Sequence, residues 1–432
     1  MSASPPQRLL DSFRAAVAAA DPLRIVGAHM PPRPAGRVLV VGAGKAAASM
    51  AAAVEAAWPQ VALDGLVITR YGHGLPTARI RVVEAGHPVP DAAGAQAAQE
   101  ILARTRSLAT GDLLLALVSG GGSSLLSLPA DGVGMPELKA VTRELLRCGA
   151  PIQEINVVRK HLSCIQGGRL ALEATARGAT VLALVVSDVT GDDPADIASG
   201  PCAPDPSTYA DAQAILARHG CAVPPSVAQH LARGAAGAAE ETPKPGDARL
   251  GGVRNVVIAT AQRSLQAAAA VFEAAGVRAV VLGDTVTGEA REVAKVYAAL
   301  VRQVRQHGAP GTSLAPPVAL ISGGECTVTL PPGAQGRGGR CSEFLLSLAL
   351  ELHGAPGVAA LAADTDGIDG SEDNAGAWWS SDDDAQTGAD AAAKAAHLAR
   401  HDAYGWFAAR ERLVVTGPTR TNVNDYRVIM VR

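Results

Sequence analysis

The stretch Val38-Leu39-Val40-Val41-Gly42-Ala43-Gly44-Lys45-Ala46-Ala47 decides how the rest of the chain reads. Four consecutive aliphatic residues without alternation mark a strand covered on both faces. The glycines behind them predict a tight turn, and the alanine-rich run beyond predicts a helix. The same unit recurs at Leu66-Val67-Ile68 before Thr69, at Leu113 to Val118 before Ser119, and at Val181 to Val186 before Ser187-Asp188. After a break come Val256-Val257-Ile258, Val280-Val281-Leu282, Val318 to Ile321 and Val358 to Ala363. Between them Val293, Val296, Tyr297, Leu300, Val301 and Val304 keep the three-to-four spacing of a helix with one apolar face. Strands alternating with helices predict two α/β domains with mostly parallel sheets, the N-terminal one Rossmann-like. The Ala, Gly, Glu, Thr and Pro stretch from Ala235 to Leu250 has no apolar period and reads as a linker. That places the domains at 1–240 and 250–432, with the last strand free to return to the first domain. A second irregular stretch, Gly308 to Pro317, reads as an exposed loop.

Composition narrows the function classes. The 432 residues carry 38 Lys+Arg against 41 Asp+Glu, a formal net charge of −3. Such a balance supplies no field for general nucleic-acid or membrane-surface binding. Apolar residues make up 48% of the chain and aromatics only 3%, so small aliphatic side chains must build the core and base-stacking platforms are not expected. The cysteines Cys148, Cys164, Cys202, Cys221, Cys326 and Cys341 are dispersed without a CxxC pair, which argues against a disulfide framework and against zinc-ligand spacing. Asp11 and Arg14 interrupt the N-terminal apolar stretch, unlike a signal peptide. No run approaches the roughly 18 apolar residues of a membrane span. The expected setting is cytoplasmic, with neither membrane nor nucleic acid as partner.

Ligands of parallel α/β sheets gather beyond the carboxyl ends of the strands. Gly42-Ala43-Gly44-Lys45-Ala46-Ala47 fits the GxGxxA dinucleotide pattern, with Gly42 and Gly44 opening a helix N-terminus to a phosphate. The next strand should end in a ribose-binding acid but ends Ile68-Thr69-Arg70, with Asp64 at its far end. This disfavours NAD and leaves NADP open through Arg70. A Walker A loop is excluded, because Ala46 follows Lys45 and the upstream glycine is missing. Lys45 in the turn favours a phosphate over a purely structural role. Ser119-Gly120-Gly121-Gly122-Ser123-Ser124 bares amides and hydroxyls for a phosphate or carboxylate, or is a flexible strand-to-helix loop. Ser322-Gly323-Gly324-Glu325 repeats the arrangement with a carboxylate. Two such loops imply an interdomain active-site cleft.

Carboxylates follow other strands. Asp188 leads into Gly191-Asp192-Asp193, and Asp364-Thr365-Asp366-Gly367-Ile368-Asp369 follows a later one. Paired acids at strand ends suit Mg²⁺ carried by a nucleotide, while turn and helix-cap aspartates give the same pattern. Asp188, directly behind an aliphatic strand, is the strongest functional candidate. In Gly336-Arg337-Gly338-Gly339-Arg340 a glycine loop presents cations, and Arg340 could neutralise a transferring phosphoryl group. Asn156, Arg159, Lys160 and His161 crowd one probable helix and read either as a site for an acidic substrate or as a solvated face. His87, in Gly86-His87-Pro88, reads as a structural loop histidine.

Together, the segments Val40–Met50, Ser119–Leu128, Asn156–Leu170, Ser187–Pro201, Ile321–Leu350, Ala362–Gly376 and Thr416–Asp425 resemble the glycerate 2-kinases that join a glycerate-kinase domain to a C-terminal MOFRL domain. Members are often labelled hydroxypyruvate reductase. The resemblance implies ATP-dependent phosphorylation of D-glycerate at its 2-hydroxyl with Mg²⁺. It places the family's lysine on Lys45, its arginine on Arg340 and its proposed base on Asp188. In the mechanism that the residues' own patterns suggest, Gly42, Gly44, Gly323, Gly324, Glu325, Gly338 and Gly339 hold the nucleotide. Ser119, Gly120, Gly121, Gly122, Ser123, Ser124, Asn156, Arg159 and Lys160 hold the hydroxy acid, and Asp192 and Asp193 hold the metal. The expected partners are a small hydroxy acid and ATP, with a homodimer compatible. Cys341-Ser342 stands where the family usually has Asn-Gln, and Arg420 where it usually has glycine. If these line the cleft, the acceptor differs from glycerate. The rival readings are an NADPH-dependent hydroxypyruvate reductase and a non-catalytic sugar-acid or nucleotide sensor.

Overall fold

The computed structural model describes residues 5–308, 315–388 and 390–432, so most of the expected Gly308–Pro317 loop lies outside the described residues. The chain divides into two compact units, Pro22–Ile258 (the first unit) and Met1–Asp21 with Ala259–Arg432 (the second unit).

In the first unit, β1 (Val38–Ala43), β2 (Leu63–Arg70), β3 (Ile80–Ala85), β4 (Leu113–Ser119), β5 (Thr180–Val186) and β6 (Val253–Ala259) form one sheet. Their order is β3-β2-β1-β4-β5-β6, the doubly wound order of dinucleotide-binding folds. The pairs from β3 to β5 are parallel, with Val38 opposite both Leu63 and Leu113. Leu39, Val41 and Ala43 face one core with Leu114, Ala116 and Val118. Val38 and Val40 are equally buried on the opposite face, which is why the run shows no polar alternation. A separate apolar cluster, including Leu138, Val158, Ile215 and Leu231, knits four helices together.

In the second unit, β7 (Arg278–Glu289), β8 (Val318–Thr327), β9 (Val358–Asp364), β10 (Gly376–Ser380), β11 (Leu413–Val414) and β12 (Asp425–Val431) are ordered β11-β10-β9-β12-β8-β7. Only β7 and β8 pair in parallel, whereas β12 runs antiparallel between β8 and β9, and β9-β10-β11 is antiparallel. The expectation of mostly parallel sheets therefore holds for the first sheet and fails for the second. The final strand enters the second sheet, not the first. Along β12, Val428 and Met430 join one core with Phe13 and Phe272, while Ile429 and Val431 join the other with Phe344 and Trp379. Burying a side chain of this size stabilises by roughly 1.5–3 kcal/mol.

The domain boundary expected at 240–250 falls inside the first unit. Val181 N donates to Gly252 O, placing β6 beside β5. The presumed linker is also tied down: Asp205 N donates to Pro243 O (2.8 Å), and Glu241 accepts from Tyr209 N (3.1 Å). Polar bonds anchor this segment, so its lack of apolar period misleads. Among the described residues no helix is long and apolar enough to cross a membrane.

Candidate active site

Between β1 and β4 the strand order of the first sheet reverses, and the turns behind these two strands are stitched together. Lys45 N donates to Gly120 O (2.8 Å) and Ala46 N to the Ser119 hydroxyl (3.0 Å), while Gly44 N donates to Ile68 O (3.0 Å). The amides of the GxGxxA turn are thus consumed by the protein itself. A side chain at Gly42 would overlap Leu117, and one at Gly44 would overlap Ser119. These are packing glycines, and the expected phosphate cradle at Gly42 and Gly44 is absent. Ser119 likewise braces the turn and is fully buried, so it presents no hydroxyl to a substrate.

Gly120 and Gly121 are the close-approach point. A methyl at Gly120 would overlap the Asp188 carboxylate. One at Gly121 (φ +79°) would lie 2.9 Å from His87 Cδ2 and Nε2 and 3.5 Å from Lys45 Cγ. Only bare backbone lets Lys45, His87 and Asp188 converge there. Sequence reading passed over His87, although its place just beyond the carboxyl end of β3 was the available signal. Gly122 opens the short helix Gly122–Leu125 and packs beneath Ala198. The Ser123 hydroxyl lies 2.8 Å from that of Ser199, while Ser124 donates to Gly121 O.

Ser199 is another group that sequence reading missed. It and Ala198 are consecutive non-glycine residues at φ +56° and +52°, a conformation costing about 1–3 kcal/mol each. That backbone holds the Ser199 hydroxyl between Ser123 and Asn156, donating to Asn156 Oδ1 at 3.2 Å. Asn156 in turn donates to Asp196 O. It therefore positions the serine loop from helix Ile152–His161.

Lys160 does not serve a substrate. It is buried and paired with the fully buried Asp205 at 2.9 Å, beside His161, which lies 3.0 Å from Glu241. Burial raises Asp205, but Lys160, Ser207 and His161 bring its pKa below the ordinary carboxylate value. A depressed folded pKa gives stability above the unfolded value that is lost as pH falls through the folded one. Lys160→Met is expected to destabilise by about 3–5 kcal/mol at neutral pH, with the gap to wild type closing below about pH 4. Urea midpoints at pH 7 and 3.5 check this, and equal midpoints at pH 7 would refute it. Arg159, its neighbour, is half-buried and makes no side-chain hydrogen bond or ion pair among the described residues.

Asp192 sits at φ +55° beside Asp193. Asp193 Oδ1 accepts from Ala195 N (2.9 Å), closing its own turn. Among the described residues no three His, Cys, Asp or Glu side chains group to hold an ion.

The second unit gathers charge at the carboxyl ends of β8 and β9. Arg340, first residue of helix Arg340–Glu351, donates through Nε to Asp425 Oδ1 (2.7 Å) and through Nη2 to Asp364 Oδ2 (2.7 Å), and Nη1 lies 3.0 Å from Glu325 Oε1. Burial opposes the charge, but Asp425, Asp364 and Glu325 outweigh it and hold the guanidinium protonated. Buried Arg427 takes the other oxygen of Asp425 at 2.5 Å and donates to Gly323 O. Asp425 and Arg427 escaped the sequence reading; a charged pair in an otherwise apolar strand was their signal. Gly323 and Gly324 lie within β8 at a bulge against β7, not in a loop behind it. Gly324 packs on Val286, so neither glycine forms an anion cradle. At the helix N-terminus the amides of Cys341 and Ser342 already hold Asp369 (2.9 and 2.8 Å), and Gly339 packs on Asp369. Gly338 approaches Ser342. The anion seat expected at Gly338-Gly339 is filled from within.

That geometry also removes Cys341 and Ser342 from any role in shaping an acceptor pocket. Cys341 is buried in the apolar core with Phe344, and Ser342 caps the helix, accepting from Gly339 N and donating to Asp369. Arg420 sits at φ +59°, where glycine is free of strain.

Comparison with known proteins places these features. Residues 8–232 match the domain of unknown function DUF4147, and residues 318–425 match the MOFRL family. A protein of Agrobacterium vitis provisionally named hydroxypyruvate reductase is 49% identical over 97% of this chain and 93% of its own. The D-glycerate 2-kinase of Thermotoga maritima is 37% identical over 96% of each. The crystal structure of a Thermotoga maritima glycerate kinase superposes with a TM-score of 0.85 at 35% identity, covering 99% of both chains.

Proposed function

Since the chain belongs to the glycerate 2-kinase family, with its DUF4147 and MOFRL matches, we propose that it transfers the γ-phosphoryl group of ATP to the 2-hydroxyl of D-glycerate or a close hydroxy-acid relative. The observation that carries the mechanism is the convergence of Lys45, His87 and Asp188 on Gly120-Gly121, where the strand order reverses.

Phosphoryl transfer demands positioning and charge neutralisation more than covalent chemistry. Lys45 steadies negative charge on the moving phosphoryl group. Asp188 accepts the proton of the acceptor hydroxyl. Ser123, braced by Ser199 and Asn156, orders the loop beneath the acceptor. On the second unit Arg340 meets the nucleotide phosphates by exchanging its one exposed partner, Glu325, while Asp364 and Asp425 keep the guanidinium aimed. Mg²⁺ would arrive with ATP, with Asp192 and Asp193 as candidates for one or two of its remaining ligands.

The test is ADP formation from MgATP with D-glycerate and a panel of four- to six-carbon hydroxy acids. Turnover of glycerate is expected, and silence across the panel would overturn the kinase reading. The reductase reading lost its motif when the amides of Gly44, Lys45 and Ala46 proved to be spent internally. NADPH absorbance with hydroxypyruvate should therefore stay flat.

A further inference from the structure

Three half-buried arginines in the first unit pair off, while Arg70 and Arg159 do not. Arg79 donates to Val61 O and to Trp58 O, Arg104 to Glu100 and Asp64, and Arg169 to Tyr209 and Glu240 O. The Arg159 guanidinium makes no such bond among the described residues. Burial lowers its pKa, and no carboxylate acts against that effect. Withdrawing a cation from water without a counter-charge is costly, and an anion bound from outside the chain would offset that cost.

Its place on helix Ile152–His161 indicates where that anion sits. Asn156, one turn earlier, bonds Ser199, whose hydroxyl meets Ser123 of the glycine loop. Residues three apart on a helix share a face, so Arg159 stands on the face that docks against that loop. Of the other two cations expected nearby, Lys160 is neutralised by Asp205, and Lys45 belongs to the opposite edge of the loop beside Gly121.

We propose that Arg159 is the anchor for the acceptor's carboxylate, gripping its two oxygens with the planar guanidinium fork and so restricting acceptors to hydroxy acids. The proposal rests on the kinase reading above and deepens it. A bidentate pair fixes both the position and the roll of a small acid. That would aim one hydroxyl of a molecule with two. Lysine at 159 would keep the charge and lose the fork.

The experiment compares wild type, Arg159→Lys and Arg159→Met with D-glycerate and its neutral isostere D-glyceramide, after matched melting curves. The wild type should prefer glycerate in kcat/KM by a hundredfold or more. In Arg159→Met the glycerate KM should rise about a hundredfold, the glyceramide value should hold, and the preference should collapse towards one. Arg159→Lys should fall between, with the ATP KM unmoved in both. Equal losses on both acceptors, or an unmoved glycerate KM, would overturn the assignment. Calorimetric titration of D-glycerate without ATP separates the two proposals. Binding by wild type that Arg159→Met abolishes supports the anchor even if ADP never forms. Equal binding by both proteins refutes it even if ADP does.

Discussion

Lys45→Ala should reduce glycerate-dependent ADP formation by about a hundredfold or more. The backbone of this turn is held independently of the side chain: Lys45 N reaches Gly120 O and Ala46 N reaches Ser119. The side chain lies against Gly121, as does His87. A group that neutralises charge arising only in the transition state contributes to kcat rather than to KM, and removing one such donor typically costs a hundredfold to a thousandfold, about 2.7–4 kcal/mol. The KM for glycerate should hardly move. Near-normal turnover would remove Lys45 from the mechanism.

Arg340→Met is expected to do more damage, abolishing activity and destabilising the second unit by about 3–5 kcal/mol. Asp364 and Asp425 have nearly fully buried side chains; Asp364 would lose its cation at 2.7 Å and Asp425 one of its two. Arg427 would still hold Asp425, but through one oxygen only. The control is Glu325→Gln. Its side chain is 55% exposed, and screening limits such a pair to under about 1 kcal/mol. Trp378, Trp379 and Trp406 all lie in the second unit and only Trp58 in the first, so fluorescence-monitored urea unfolding reports chiefly on the affected part. A midpoint equal to wild type would refute the expectation.

The strand runs were legible because both sheets are covered on both faces, which demands continuous aliphatic sequence along their buried strands. Direction was not legible: Val358 to Ala363 and Val428 to Val431 look alike, yet β9 and β12 run oppositely. The domain boundary failed because polar hydrogen bonds, which leave no periodic trace, fasten 240–250 to the first unit. Within the site, the loop Ser119 to Ser124 and Asp188 could be located from their strand ends. What glycines do there could not. Those at 42, 44, 323 and 324 create close packing, whereas 120 and 121 clear room for Asp188, His87 and Lys45. Composition is identical in the two cases, and only the neighbour across the gap differs. The partners of Arg340 were equally hidden, since Asp425 lies 85 positions away.

The N-terminal helix Pro5–Ala19 buries Leu9, Phe13 and Ala16 in the second unit, where Tyr426 donates to Ser12 across 414 positions and Thr421 to Ala20 O across 401. A ribosome therefore makes this helix before the first unit and its docking site after it. The first unit, contiguous from Pro22 to Ile258, can finish folding while the helix waits with its greasy face uncovered, a natural client for a chaperone at the exit tunnel. Segments on either side of the first unit thus build one body, and a cloned fragment that starts at residue 259 begins with a hole in its core.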